Sequence, residues 1–191
     1  MLPAAVRFGV RPARSAWSAV YTRQRQQVSH FADRLTVSLA LPPCGPADGG
    51  RREAWLNYLA AESPWVRLRH FVRPVPMGTL RGTLTVAAEA VAGLRSVTLN
   101  TGQPGATLLG GDVLGAGGRL LPVAYAGAVA DGSGVMIVPL QVPLRATLAA
   151  GSAVTWSQPT GAFQFEGDGL ELDYSPGLLQ RGVDLQFVEV V

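Results

Sequence analysis

Glycine and proline interrupt this chain at short intervals, and that punctuation limits what it can fold into. The sequence holds 23 Gly and 14 Pro in 191 residues. That is about a fifth, against roughly 12% in average usage, and it is spread without a collagen-like period. A helical bundle and a coiled coil are excluded by it. Because 48% of the residues are hydrophobic and only 15% charged, the chain can bury a core and is not a disordered tail. The expected class is mainly β, made of many short strands joined by turns.

Leu35, Val37, Leu39 and Leu41 alternate with Thr36, Ser38 and Ala40, which places four aliphatic side chains on one face of a strand. Pro42 and Pro43 stop it. Beyond Asp48-Gly49-Gly50, residues 51–62 favour a helix, with Asp48 as its capping residue and Trp55, Leu56, Leu59 and Ala60 on the apolar side. Trp55, Leu56 and Leu59 are expected to pin this helix onto the sheet carrying Leu35, Val37 and Leu39. After Pro64, Trp65 to Val72 reads as a strand, in which Arg67 and Arg69 can lie over aromatic neighbours.

From about Gly82 the texture changes. Short apolar runs alternate with Gly-rich turns such as Gly115-Ala116-Gly117-Gly118 and Asp131-Gly132-Ser133-Gly134, a pattern that suits a small, tightly curled barrel. Strands are expected at Val97–Asn100, Ala106–Leu109, Asp112–Ala116, Arg119–Ala126, Val135–Leu140 and Ala153–Ser157. Near Gln158 the alternation returns. Phe163 to Phe165 and Leu170 to Tyr174 read as a hairpin across Gly167-Asp168-Gly169, and Val183 to Val191 as a last strand with Leu185 and Phe187 on one face. The resulting sketch is a discontinuous β domain, residues 1–82 and 158–191, with a Gly-rich β module at 83–157 inserted into it.

All 16 basic residues are arginine. Residues 1–81 carry twelve of them against four acids, a balance of +8, whereas residues 82–191 carry four against nine, or −5. No run of five basic residues occurs, so the scattered arginines read as solvated strand faces and complementary subunit surfaces, Arg67, Arg69 and Arg73 being candidate subunit contacts. The first 30 residues contain no acid. Pro3 and Pro12 spoil the helix of a transit peptide, so this segment is expected to belong to the fold. The apolar stretch 135–150 is cut by Pro139, Pro143 and Arg145, so no membrane insertion is expected.

Catalytic patterns are sought and not found. Cys44 is the single cysteine, and His30 and His70 stand apart without carboxylate or His partners at ligand spacing, so no metal and no cofactor is expected. Gly115 to Gly118 precedes a strand, and a phosphate loop cannot supply its lysine in a chain without Lys. Ser133 lacks the glycine two places earlier that a nucleophile elbow needs. Glu166, Asp168, Glu171 and Asp173 form the densest acidic group. They are a poor imitation of a calcium loop or of a glycosidase pair, and read as a negatively charged face.

Several segments taken together resemble the distal tail or minor tail proteins of bacteriophages with long non-contractile tails. They are Arg11-Pro12-Ala13-Arg14-Ser15-Ala16-Trp17, Ala54 to Leu59, the strand into Arg73-Pro74, Leu109 to Gly115, Ala130 to Gly134, Val142 to Arg145 and Asp184 to Glu189. The resemblance implies a tail-tube-like β-sandwich with one helix, and a ring, usually of six subunits, at the virion tail tip. That ring would be assembled in the host cytoplasm from copies of itself, between a tail tube protein and a hub protein. The family brings no catalytic residues, so no enzyme is expected. Phage DNA would pass through without specific binding, and Glu166, Asp168, Glu171 and Asp173 would line the lumen, because arginines there would hold the phosphates. The alternatives are a tail-tube, hub-adapter or fibre-attachment role in the same particle, and a carbohydrate-binding β module.

Overall fold

The computed structural model describes residues 3–18, 25–29, 33–62, 64–167, 172–175 and 179–190. The fold is mainly β, with a single α-helix among the described residues. In chain order the elements are β1 (Ala5–Arg11), β2 (Arg14–Ser18), β3 (Arg25–Ser29), β4 (Arg34–Leu41), α1 (Pro46–Glu62), β5 (Trp65–Arg69), β6 (Leu84–Val86), β7 (Ser96–Asn100) and β8 (Thr107–Leu108). They continue with β9 (Val113–Ala116), β10 (Arg119–Pro122), β11 (Ala128–Val129), β12 (Val135–Pro139), β13 (Ala153–Thr155), β14 (Thr160–Phe165), β15 (Tyr174–Ser175), β16 (Leu179–Gln180) and β17 (Val183–Glu189). By contacts the chain divides into two units. The first is Met1–Gly9, Leu35–Leu68 and Ala162–Val190; the second is chiefly Val10–Arg34 and Arg69–Gly161. Residues 10–34 and 69–82, grouped with the chain ends in the sequence reading, thus fall in the second unit.

The first unit is a five-stranded sheet in the order β1-β4-β17-β14-β5, with α1. The alternation expected of β4 is present: Leu35, Val37, Leu39 and Leu41 are buried and the residues between them are not. Antiparallel pairing sets Leu39 opposite Leu185 and Val37 opposite Phe187, so both strands put their apolar set on one face. Phe163 is buried on the next strand, and Phe165 meets Phe187 edge to face at 5.9 Å, a geometry worth about 0.5–1.5 kcal/mol beyond area. Among the described residues, Phe163–Phe165 and Leu172–Tyr174 do not pair as the expected hairpin would require. Both sides of β14 are taken, by β17 and β5, and Tyr174-Ser175 pairs with Leu179-Gln180 instead. Aromatic pairing between distant strands prevails there over a local turn signal. Asp168, Gly169, Leu170 and Glu171 lie outside the described residues.

Helix α1 begins before the expected residue 51. Pro46 opens it, where no N–H is required, and Asp48 sits inside the first turn facing the positive end of the helix dipole, not at the cap. Its buried stripe is Gly49, Arg52, Leu56 and Leu59, at the three- and four-residue spacing of one helical face. Trp55 was expected in that stripe and is 40% exposed. At about 100° per residue it lies on the flank of the stripe, and Arg52 fills the place inside. Leu56 and Leu59 are fully buried as expected. Leu59→Ala should therefore lower stability by about 2–5 kcal/mol in urea titration; a loss under about 0.5 kcal/mol would put that face in solvent.

Strand β5 stops three residues short of Val72. The imidazole Nδ1 of His70 accepts the Arg73 N–H at 2.9 Å, turning the chain, and Val72 ends 66% exposed. The second unit then forms a six-stranded sheet, β10-β9-β13-β6-β7-β12. It curls until its outer strands meet at a Val123–Leu140 bridge, with Ala124 N donating to Pro139 O at 2.8 Å and Gln141 N to Pro122 O at 2.9 Å. Leu84, Val86, Leu99, Leu114, Met136 and Val138 are among the side chains filling its core. Gly117 and Gly118, with φ of 57° and 75°, form the two-residue turn joining β9 to β10. Positive φ at both positions defines a type I′ hairpin, the turn expected there. Arg119–Ala126 was expected to be one strand, but β10 ends at Pro122. β6 and β11 were not expected: two or three residues are too few to show a period.

Candidate functional site

Grouping the chain by its two units sorts its charge differently from grouping it by sequence halves. The first unit holds five arginines and nine acids, a balance of −4, and the second holds eleven and four, or +7. Two of those four acids are withdrawn from the surface. Asp112 is fully buried, and its carboxylate accepts the N–H groups of Met77 at 2.8 Å, Gly78 at 3.2 Å and Leu109 at 2.8 Å. Asp33, 6% exposed, accepts Ala13 N–H at 2.9 Å on one carboxylate oxygen and Arg95 Nη2 at 3.2 Å on the other. The Asp33 carbonyl also accepts Arg145 Nη2 at 2.6 Å. These bonds anchor the base of the β2–β3 ribbon within the second unit.

Other arginines of this unit end on uncharged groups. Arg81 donates to the carbonyls of Gly78 and Pro76 and lies 5.2 Å over the Trp156 ring. Arg69 donates to Gln158 Oε1 at 2.9 Å and lies 5.4 Å over Phe71, a stacking the sequence anticipated. Arg73 reaches the Gly110 carbonyl at 3.5 Å. Carbonyls and rings orient a guanidinium without cancelling its charge, so the unit stays strongly cationic. Of the three arginines expected at subunit contacts, Arg69 and Arg73 are thus engaged inside their own unit, and Arg67 is exposed on β5.

The acidic group expected to line a lumen is described at two positions, Glu166 and Asp173, both exposed. Asp168 and Glu171 lie outside the described residues. Ser133 is a turn residue: its hydroxyl donates to Asp131 Oδ1 at 2.7 Å, and that bond, with the Ser133 and Val135 amides, holds the Asp131 carboxyl below its usual range. Burial, and then the Arg73 charge, lower His70, which favours the neutral ring that accepts the Arg73 N–H. Among the described residues, no group of three His, Cys, Asp or Glu is placed to hold a metal, and no helix is long and apolar enough to cross a membrane.

The first unit contains a buried polar cluster that sequence reasoning missed. Arg52, 2% exposed, donates Nε to Gln180 Oε1 at 2.7 Å, Nη2 to Arg181 O at 2.6 Å and Nη1 to Pro42 O. Gln180, fully buried, exchanges backbone bonds of 3.0 Å with Cys44 and accepts the Cys44 thiol at 3.4 Å. One guanidinium thereby ties α1 to the end of β4 and to β16. The signal was present, since Arg52 stands four residues before Leu56 and seven before Leu59 on the same helical face. No protein family profile matches this chain, and comparison with curated proteins finds no match.

Proposed function

We propose that this chain is a ring-forming structural component of a bacteriophage tail tip, linking the tail tube to the hub and letting DNA pass. The reading rests on the resemblance of its segments to distal tail proteins. The observation that carries it furthest is the open five-stranded sheet of the first unit, which ends on β1 at one side and β5 at the other. Two different edges that no other described strand pairs with permit head-to-tail pairing between copies, and such heterologous contacts generate rings when the rotation closes. In this reading Arg67, exposed on β5, is a subunit contact, and Glu166 and Asp173, with Asp168 and Glu171, line the channel. A tube, hub-adapter or fibre-attachment role would use the same edges.

Negative-stain images of the purified chain test the proposal: rings are expected, and monomers at every concentration would overturn it. Neighbouring N–H groups of an edge strand point to opposite sides. Single prolines at Val66 and Arg67 should therefore differ, the one on the free side leaving a folded protein that no longer forms rings. A second reading, a carbohydrate-binding β module, is favoured by Tyr125, which is 99% exposed on a turn. A monomer that binds glycans and loses them in Tyr125→Ala would support it.

A further inference from the structure

We infer that the loop cluster around Tyr125 in the second unit docks on helix α1 of a second copy of this chain. The inference rests on the ring-forming reading and names a contact within that ring. Three loops converge at the cluster. The Asp112 carboxylate accepts the N–H groups of Met77 and Leu109, both at 2.8 Å, and Arg73 reaches the Gly110 carbonyl at 3.5 Å. Gly110 lies so close to the next loop that a Cβ there would stand 2.5 Å from the Tyr125 carbonyl oxygen. Met77, Leu109 and Tyr125 are 72%, 51% and 99% exposed, Tyr125 at the corner of a turn closed by Gly127 N–H to Ala124 O at 3.0 Å. Arg73 and Arg81 stand beside these tips on carbonyl acceptors, and the acid among the three loops, Asp112, is buried and engaged by amides. Tyrosine, methionine and arginine without exposed acids are the composition of the centre of a protein interface.

Charge selects what covers the cluster. A nucleic acid would pair with the arginines and leave Met77 and Leu109 in water. A second cluster would set arginine against arginine, which disfavours a two-fold contact. Helix α1 supplies a better complement: Asp48, Arg51, Trp55, Tyr58 and Glu62 recur every three and four residues along one flank and are all exposed. Two aromatic side chains stand at the middle of that flank, with an acid at each end. Arginine over an aromatic ring and arginine against a carboxylate are both favourable pairings. Because the two faces differ, the contact is heterologous, as a ring requires. It also supplies area. A strand edge of five residues such as β5 is short against the roughly 1,200–2,000 Å² that a stable interface buries, so edge pairing needs apolar surface beside it.

Sedimentation velocity of the full-length chain and two variants tests this. Tyr125→Ala and Tyr58→Ala each remove a side chain that stands at least half in solvent, so both should fold as wild type. Each should raise the concentration needed for rings by roughly 30-fold or more, as loss of an interface anchor does. Each variant keeps one face intact, so an equimolar mixture should form heterodimers at concentrations where either variant alone is a monomer. Rings in either variant at the wild-type concentration, or a mixture that stays monomeric, overturn the inference and leave the ring reading standing. Dimers of Tyr58→Ala alone also overturn it, since cluster would then meet cluster. A wild-type chain that is monomeric at every concentration overturns both readings. Should a variant lose its fold, hydrogen exchange on the wild-type chain replaces it: residues 124–127 should exchange more slowly in rings than in dilute monomers, and equal rates overturn the inference.

Discussion

Replacing Arg52 by alanine should loosen helix α1 by about 3 kcal/mol, read as faster hydrogen exchange across Pro46–Glu62. The guanidinium is 2% exposed and serves the Pro42 and Arg181 carbonyls and the Gln180 side chain. Truncation takes the guanidinium donors from these acceptors, leaving Gln180 Oε1 only the Cys44 thiol; each buried group that loses its donor costs about 1–3 kcal/mol, part of which water entering the vacated space can recover. Arg52→Lys keeps the charge but not the forked geometry, so it should restore only part of the loss. Arg52→Met, which fills the volume and removes the charge, separates packing from hydrogen bonding: it should stay nearer to alanine than to wild type. Exchange rates in Arg52→Ala equal to wild type would show that the buried guanidinium does not hold the helix.

Gly78→Ala should be more damaging still, lowering the stability of the second unit by more than about 4 kcal/mol or preventing its folding. A Cβ at this position would overlap the Thr107 carbonyl oxygen and lie 2.6 Å from the Thr107 carbonyl carbon and 2.9 Å from Leu108 Cα. All three are backbone atoms and cannot swing aside. Relieving the clash means lifting the segment away, with loss of Gly78 N–H to Asp112 Oδ2, Thr79 N–H to Thr107 Oγ1 and Leu80 N–H to Thr107 O. Gly132→Ala is the control, since a Cβ there meets nothing within 4 Å. Alanine in open space restricts the unfolded chain and should raise stability by about 0.4–1 kcal/mol. Opposite signs in the two variants, measured by urea unfolding, are the expected result; similar small effects would mean that the 78–80 segment is not held against Thr107.

The legible parts of this fold are those that a period or a turn residue announces. The β4 alternation, the strands at Ser96–Asn100 and Val135–Pro139, and the Gly117-Gly118 hairpin could be read because each depends on neighbours in sequence. Trp55 was misplaced because hydrophobicity alone ranks it above Arg52, although the spacing to Leu56 and Leu59 favours the arginine, whose donors the interior can satisfy. The pairing expected of Phe163–Phe165 with the following segment is missing among the described residues for another reason. The turn signal was local, and the partner that β14 takes, β17, lies some twenty residues downstream with Phe187 to set against Phe165.

Composition and periodicity were sufficient to establish a mainly β chain with short strands, one helix and no lysine. Which segments share a unit was decided by tertiary structure. Cut at residue 81, the chain is +8 before and −5 after; folded, the segment 35–68 joins the acidic tail, and 10–34 joins the barrel, so that the balance becomes −4 and +7. The groups that draw 10–34 to the barrel, Asp33 with Arg95 and Arg145, are 62 and 112 residues apart. A hydrogen bond between residues so distant leaves no trace in local hydrophobic patterning, because either partner alone looks like an ordinary surface charge. Where the charge ends up therefore follows from long-range pairing and burial, and neither can be read along the chain.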